Sequence, residues 1–215
     1  MGIYEFAGCV VSYEPLYGLL RRRMETYRSD TERQPDITLD GTKEDYEKLR
    51  KQYPHLSIEE CEYSCAGAEF YMKLLKHQGF MIHASAVEKE GKAYLFSAPS
   101  GTGKSTHAQL WRQTFKGEPI RIINDDKPAV CLQNGVFYAC GTPFSGKTDK
   151  NENRKAPIQG LCMLHRGKTN KIQKITSGEA LPLILPQTLF YGDEEETNLL
   201  LSFLPTRNFA TLGPL

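Results

Sequence analysis

Tyr94-Leu95-Phe96-Ser97-Ala98-Pro99-Ser100-Gly101-Thr102-Gly103-Lys104-Ser105 decides how this chain is read. An apolar run leads into a glycine-rich loop, and the loop leads into a segment with helical character through Phe115. Residues 98–105 fit the phosphate-loop pattern G-x-x-x-x-G-K-[ST] at every fixed position but the first, where Ala98 stands. The residue types suit the chemistry. Gly101 and Gly103 let backbone N–H groups turn toward phosphate oxygens. The helix opening at Lys104 adds the positive end of its dipole. Lys104 is expected to reach the β- and γ-phosphates and Ser105 to ligate Mg²⁺, with Ser100, Thr102 and Thr106 completing the nucleotide-binding stretch.

Working outward, Ile120-Arg121-Ile122-Ile123-Asn124-Asp125-Asp126 reads as a strand that delivers two carboxylates at its C-terminal end. One can hold the metal of a nucleotide site and the other can take a proton from an incoming hydroxyl. Adjacent strand residues point to opposite faces, so the two need not share a job. Alone, Asn-Asp-Asp is equally good turn material.

The rest of the chain reads as α/β with several antiparallel strands. Strand-like runs are expected over Ile3 to Tyr13, Asp36 to Asp40, Phe80 to Val87, Ala93 to Ser97, Ala129 to Leu132, Val136 to Cys140 and Ile158 to His165. Helices are expected over Leu16 to Tyr27, from a Thr42–Asp45 cap to about Tyr53, and over Ile58 to His77 with Gly79 as its stop. Two more are expected near Glu179 to Leu185 and Glu195 to Phe203.

Composition narrows the options. The 215 residues are 40% apolar and 25% charged, with 27 Lys and Arg against 26 Asp and Glu. A formal charge of +1 argues against a nucleic-acid coat protein. Neutrality hides an asymmetry, however. Residues 147–174 hold eight Lys or Arg (Lys147, Lys150, Arg154, Lys155, Arg166, Lys168, Lys171 and Lys174) against Asp149 and Glu152, and Asp193-Glu194-Glu195-Glu196 offsets much of it. A polyphosphate or an acidic acceptor accounts for that stretch better than nucleic acid does. No apolar run reaches membrane-spanning length, and the first residues lack a basic stretch followed by an apolar one, so no membrane association and a cytoplasmic location are expected. Six scattered cysteines form no Cys-x-x-Cys pair; Cys61 and Cys65, one helical turn apart, supply at most half a metal site.

Taken in order, His83, the loop ending at Lys104-Ser105 and the pair Asp125-Asp126 resemble the catalytic domain of the bacterial HPr kinase/phosphorylase family. Gly141-Thr142-Pro143-Phe144-Ser145-Gly146 and Asn153-Arg154-Lys155-Ala156-Pro157 also look like short HPr-kinase-like proteins. The resemblance covers roughly residues 80 to 205. It implies a P-loop α/β domain with a mixed, partly antiparallel sheet, related to the fold of ATP-dependent phosphoenolpyruvate carboxykinase. It implies an ATP- and Mg²⁺-dependent kinase acting on a hydroxyl, with serine of a small protein or peptide as acceptor, and it raises a homo-oligomer. Asp125 would be the base, Asp126 would lie nearer the metal, in this order or the reverse, and His83 would orient or share a proton with the pair. Arg154 would stabilise charge on the transferring phosphoryl group. The chain departs from the family at Thr106, where an acidic residue is usual, and HPr itself is not carried over as acceptor. Residues 1–79 do not match the family's N-terminal domain; they form a strand-and-helix region without an assigned role, separate from or integral to the domain of residues 80–215. A small-molecule or carboxykinase-like enzyme and a nucleotide-binding regulator remain the alternative readings.

Overall fold

A turn inside the first apolar run already changes the reading of the chain. The computed structural model describes residues 1–115, 117, 119–189, 194–204 and 208–213. Within it, Ile3 to Tyr13 is two strands, β1 (Gly2–Phe6) and β2 (Cys9–Tyr13), folded back at Ala7-Gly8 and paired antiparallel. Both turn residues have positive φ, the geometry of a two-residue hairpin loop. Strand β3 (Ile37–Thr38) joins β2 in parallel. Helix α1 (Gly18–Met24) continues as a 3₁₀ turn to Tyr27. Helix α2 (Lys43–Gln52) begins at the expected Thr42–Asp45 capping box, and α3 (Ile58–Leu74) begins at a second one, Ser57–Glu60. The residue that turns the chain after α3 is Gln78 at φ +56, not Gly79, which opens the next strand.

The second sheet is mixed. Its strands are β4 (Gly79–Met81), β5 (Ala84–Lys89), β6 (Lys92–Ser97), β7 (Arg121–Asn124), β8 (Ala129–Gln133), β9 (Val136–Cys140), β10 (Lys155–Leu164), β11 (Lys171–Ile175) and β12 (Asn208–Gly213). They run in the order β4-β8-β9-β10-β6-β5-β7, with β12 beside β10 and β11 beside β12. The expected strand Phe80 to Val87 is broken at Ile82-His83 into β4 and β5, which pair with different neighbours. Strand β10 belongs to two neighbourhoods. Lys155–Pro157 pair with β9, antiparallel, and the remainder lies parallel to β6 on one side and β12 on the other. Helix α4 (Lys104–Thr114) follows β6, while α5 (Ser177–Ile184) and α6 (Glu194–Phe203) come after β11. Of the acidic run, Asp193 lies outside the described residues.

The chain is therefore mixed α/β. Among the described residues the apolar side chains form three buried clusters. One joins Phe6, Val11, Leu20, Phe70 and Leu74 of the N-terminal region to Met81, Ala129, Cys131 and Phe144. Each large side chain so buried contributes about 1.5–3 kcal/mol, so residues 1–79 share a core with β4, β8 and β9. No helix among the described residues is long and apolar enough to cross a membrane.

Candidate active site

Strand β6 ends at Ser97 and α4 begins at Lys104, leaving the glycine loop between them. Ala98, standing where the sequence pattern has glycine, is wholly buried among Phe96, Ala108, Ile120 and Ile122, so its methyl group is part of the packing. Gly101 has φ +77 and Gly103 φ +113, conformations that side chains with a Cβ rarely adopt. A Cβ added at Gly101 would meet nothing within 4 Å, so its need is conformational and the backbone there is open to the outside. Gly103 caps α4 without a side-chain bond, which leaves the helix's first N–H groups without a side-chain acceptor. Lys104 is 7% exposed and donates to the carbonyls of Ala98 at 2.8 Å and Pro99 at 3.4 Å. Burial pulls its ammonium pKa down, and the nearby Asp126 and Asp125 carboxylates partly restore it.

The acid pair is placed by Asn124 and not by strand alternation. β7 stops at Asn124, whose Oδ1 accepts from the N–H groups of Asp126 at 3.0 Å and Lys127 at 2.8 Å. That side-chain turn bends the chain, so both carboxylates line the same cleft instead of pointing to opposite faces. Asp125 is 3% exposed. Ser85 donates to its Oδ1 at 2.7 Å and Thr148 to its Oδ2 at 2.8 Å. Asp126 meets His83 Nε2 at 3.3 Å and the Lys127 ammonium. Burial opposes its ionisation, but the hydrogen bond from His83 and the charge of Lys127 outweigh it and bring its pKa down to about 2. His83 sits just before β5, with its N–H donating to the Gln187 carbonyl at 2.6 Å and its Nδ1 3.2 Å from Gln187 Oε1.

These groups converge on a cleft of about 800 Å³, within the range of small-molecule sites. Ser100, Gly101, Gly103, Lys104, Ser105, Thr106, His83, Asp125 and Asp126 line it; Thr102 does not. Arg154 is not brought there. Its Nε lies 2.7 Å from Glu88 and its Nη1 3.3 Å from Glu152, and it lines a separate hollow with Arg33 and Lys155. Two carboxylates, Glu88 and Glu152, engage the guanidinium there. Lys127, Lys147 and Arg23 line the cleft, with Leu19, Leu56 and Tyr63 from the N-terminal region. In the sequence Arg23 falls within the helix expected over Leu16 to Tyr27, and nothing in that pattern links it to the cleft. Ser105 and the acid pair are hard oxygen donors of the kind Mg²⁺ takes. Among the described residues no three His, Cys, Asp or Glu side chains gather as a metal cage, and Cys61 with Cys65 is no exception.

No protein-family description matches the sequence, and no curated protein matches it either. Among solved structures, the Hpr(Ser) kinase/phosphatase from Coxiella burnetii is similar over 57% of this chain and 87% of its own, at 11% identity and a TM-score of 0.33.

Proposed function

We propose that this chain is a phosphotransferase that moves the γ-phosphoryl group of Mg·ATP to a hydroxyl, with serine in a small protein or peptide as acceptor. One observation carries the reading: the open glycine loop, Lys104 and the Asp125–Asp126–His83 group face a single cleft. Phosphoryl transfer asks for little beyond such positioning and charge. The loop N–H groups and the α4 N-terminus hold the phosphates, and Lys104 exchanges its carbonyl partners for phosphate oxygens. The acceptor hydroxyl oxygen bonds to the γ-phosphorus while the bond from that phosphorus to the β–γ bridging oxygen breaks. The hydroxyl proton passes to Asp125, whose carboxylate Ser85 and Thr148 hold in one orientation. His83 fixes Asp126, and Lys127 supplies positive charge beside it. Ser105 and Asp126 would hold Mg²⁺, which supplies charge neutralisation across the phosphate oxygens when bound.

The test is an acceptor screen with γ-labelled ATP and Mg²⁺, presenting HPr, serine-containing peptides and small alcohols in parallel. Label is expected on a hydroxyl acceptor, falling at least about 100-fold in Asp125→Asn and in Lys104→Ala. Labelling that persists in Lys104→Ala overturns the site. Mg·ATP binding without transfer to any acceptor, indifferent to Asp125→Asn, turns the protein into a nucleotide-binding regulator.

A further inference from the structure

We infer that Arg23, in α1, is a positioning residue for the acid pair, acting with Tyr63 of α3 through the loop that follows β9. The inference rests on the phosphotransferase reading above and assigns the N-terminal region a part in it.

The Arg23 side chain is only 8% exposed, unusual for arginine unless its charge is engaged. Its Nη2 donates to the Gly146 carbonyl at 2.6 Å, and its Nε lies 3.0 Å from Asp149 Oδ1. The guanidinium sits over the Tyr63 ring, 4.9 Å from its centroid. Tyr63 in turn accepts from the Gly146 N–H at 3.0 Å through its hydroxyl. Two side chains from the N-terminal region therefore take both backbone polar groups of one glycine.

That glycine is the point where the loop touches the acid pair. Gly146 has φ +68, and a Cβ built on it would lie 2.7 Å from the Asp126 carboxyl carbon. Two residues later, Thr148 donates to Asp125 Oδ2. Moving Gly146 moves the surface against which Asp126 packs and the hydroxyl that orients Asp125. Arginine suits the task because one end of its planar guanidinium donates to Gly146 while its charge lies beside Asp149 and its face covers a ring; lysine offers one compact charge.

Arg23→Gln, Arg23→Lys and Tyr63→Phe, each in the full chain, test the assignment by turnover of γ-labelled Mg·ATP. For Arg23→Gln the expected result is a kcat about 10–100-fold lower, the scale of a displacement near 1 Å, with KM for Mg·ATP and the Mg·ATP-induced rise in Tm both unchanged. Arg23→Lys and Tyr63→Phe, which keep the charge and the ring respectively, should lose less in the same direction. The decisive readout is coupling: in an Asp125→Asn background, Arg23→Gln should cost almost nothing further. Equal losses in both backgrounds overturn the assignment. So does a lower Tm with kcat of the folded protein intact, which marks a purely structural ion pair, and so does a raised KM at constant kcat. Should the wild-type chain itself neither bind nor turn over Mg·ATP, the phosphotransferase reading falls first and the assignment falls with it.

Discussion

The two loops that face each other across the cleft are built on opposite principles. Residues 98–105 are held mainly by backbone shape, with Lys104 and Arg166 bonding their carbonyls, and a Cβ added at Gly101 meets open space. Residues 141–151 are tied down at almost every step. Thr142 Oγ1 donates to the Lys127 carbonyl and meets the Tyr71 hydroxyl, the Asn124 amide and the Phe144 N–H. Ser145 bonds Asp149 and Asn151, Thr148 bonds Asp125, and Tyr27 bonds Asn151. One loop leaves its polar backbone open; the other spends its polar groups on fixing the geometry around the acid pair.

The sharpest way to break this contrast is to put the same methyl group into each loop. Gly146→Ala should be the more damaging change, because a left-handed φ costs about 1–2 kcal/mol for alanine and the new Cβ also collides with Asp126. Phosphoryl transfer should drop about 100-fold as the carboxylate is displaced. Gly101→Ala carries the φ cost alone, about 1–2 kcal/mol, and should instead shrink the rise in Tm caused by Mg·ATP. If both variants lose nucleotide binding and neither loses turnover selectively, the two loops do not differ as described.

Thr142→Val comes next, since it keeps the shape and deletes the hydroxyl hub. The loss should be about 3 kcal/mol from orphaned buried groups, read by urea unfolding, with Thr142→Ser recovering most of it. The smallest effect concerns the thiols. Cys65 is half-buried while the other five cysteines are buried, and burial pushes Cys9 up to about 12 and Cys162 up to about 11. In the native state a thiol reagent at neutral pH should label Cys65 alone, slowly, and all six after unfolding. Rapid labelling of Cys140, whose strand leads into the second loop, would show that the tied loop opens.

The difference between the loops also explains what could be read in advance. A backbone-built loop is written in consecutive residues, so 98–105, its strand and its helix were legible, as was the strand ending in Asn124. The tied loop depends on partners far away in sequence. Arg23 and Tyr63 look like solvated helix residues until α1 and α3 are packed against residues 144–149. Arg154 is the cation that the family resemblance offers, yet Glu88, distant along the chain, captures it. The Ala7-Gly8 turn was hidden because apolar residues flank it directly, Phe6 before it and Cys9-Val10-Val11 after it. Strand β11 escaped because its Lys-Ile-Gln-Lys-Ile sequence is largely exposed and carries little apolar signal; pairing with β12 is what orders it.

Strand β10 has a consequence for time as well as for space. Its first residues hold β9, from which the tied loop departs, and its later ones hold β6, from which the glycine loop departs. One stretch of backbone is thus the common ruler for both walls of the cleft, and neither wall can drift while that ruler is intact. The amides of Leu161 to Met163, flanked by β6 and β12, should then be among the slowest in the protein to exchange with deuterated solvent. Breathing of the site on a shorter clock would have to come from the loops themselves.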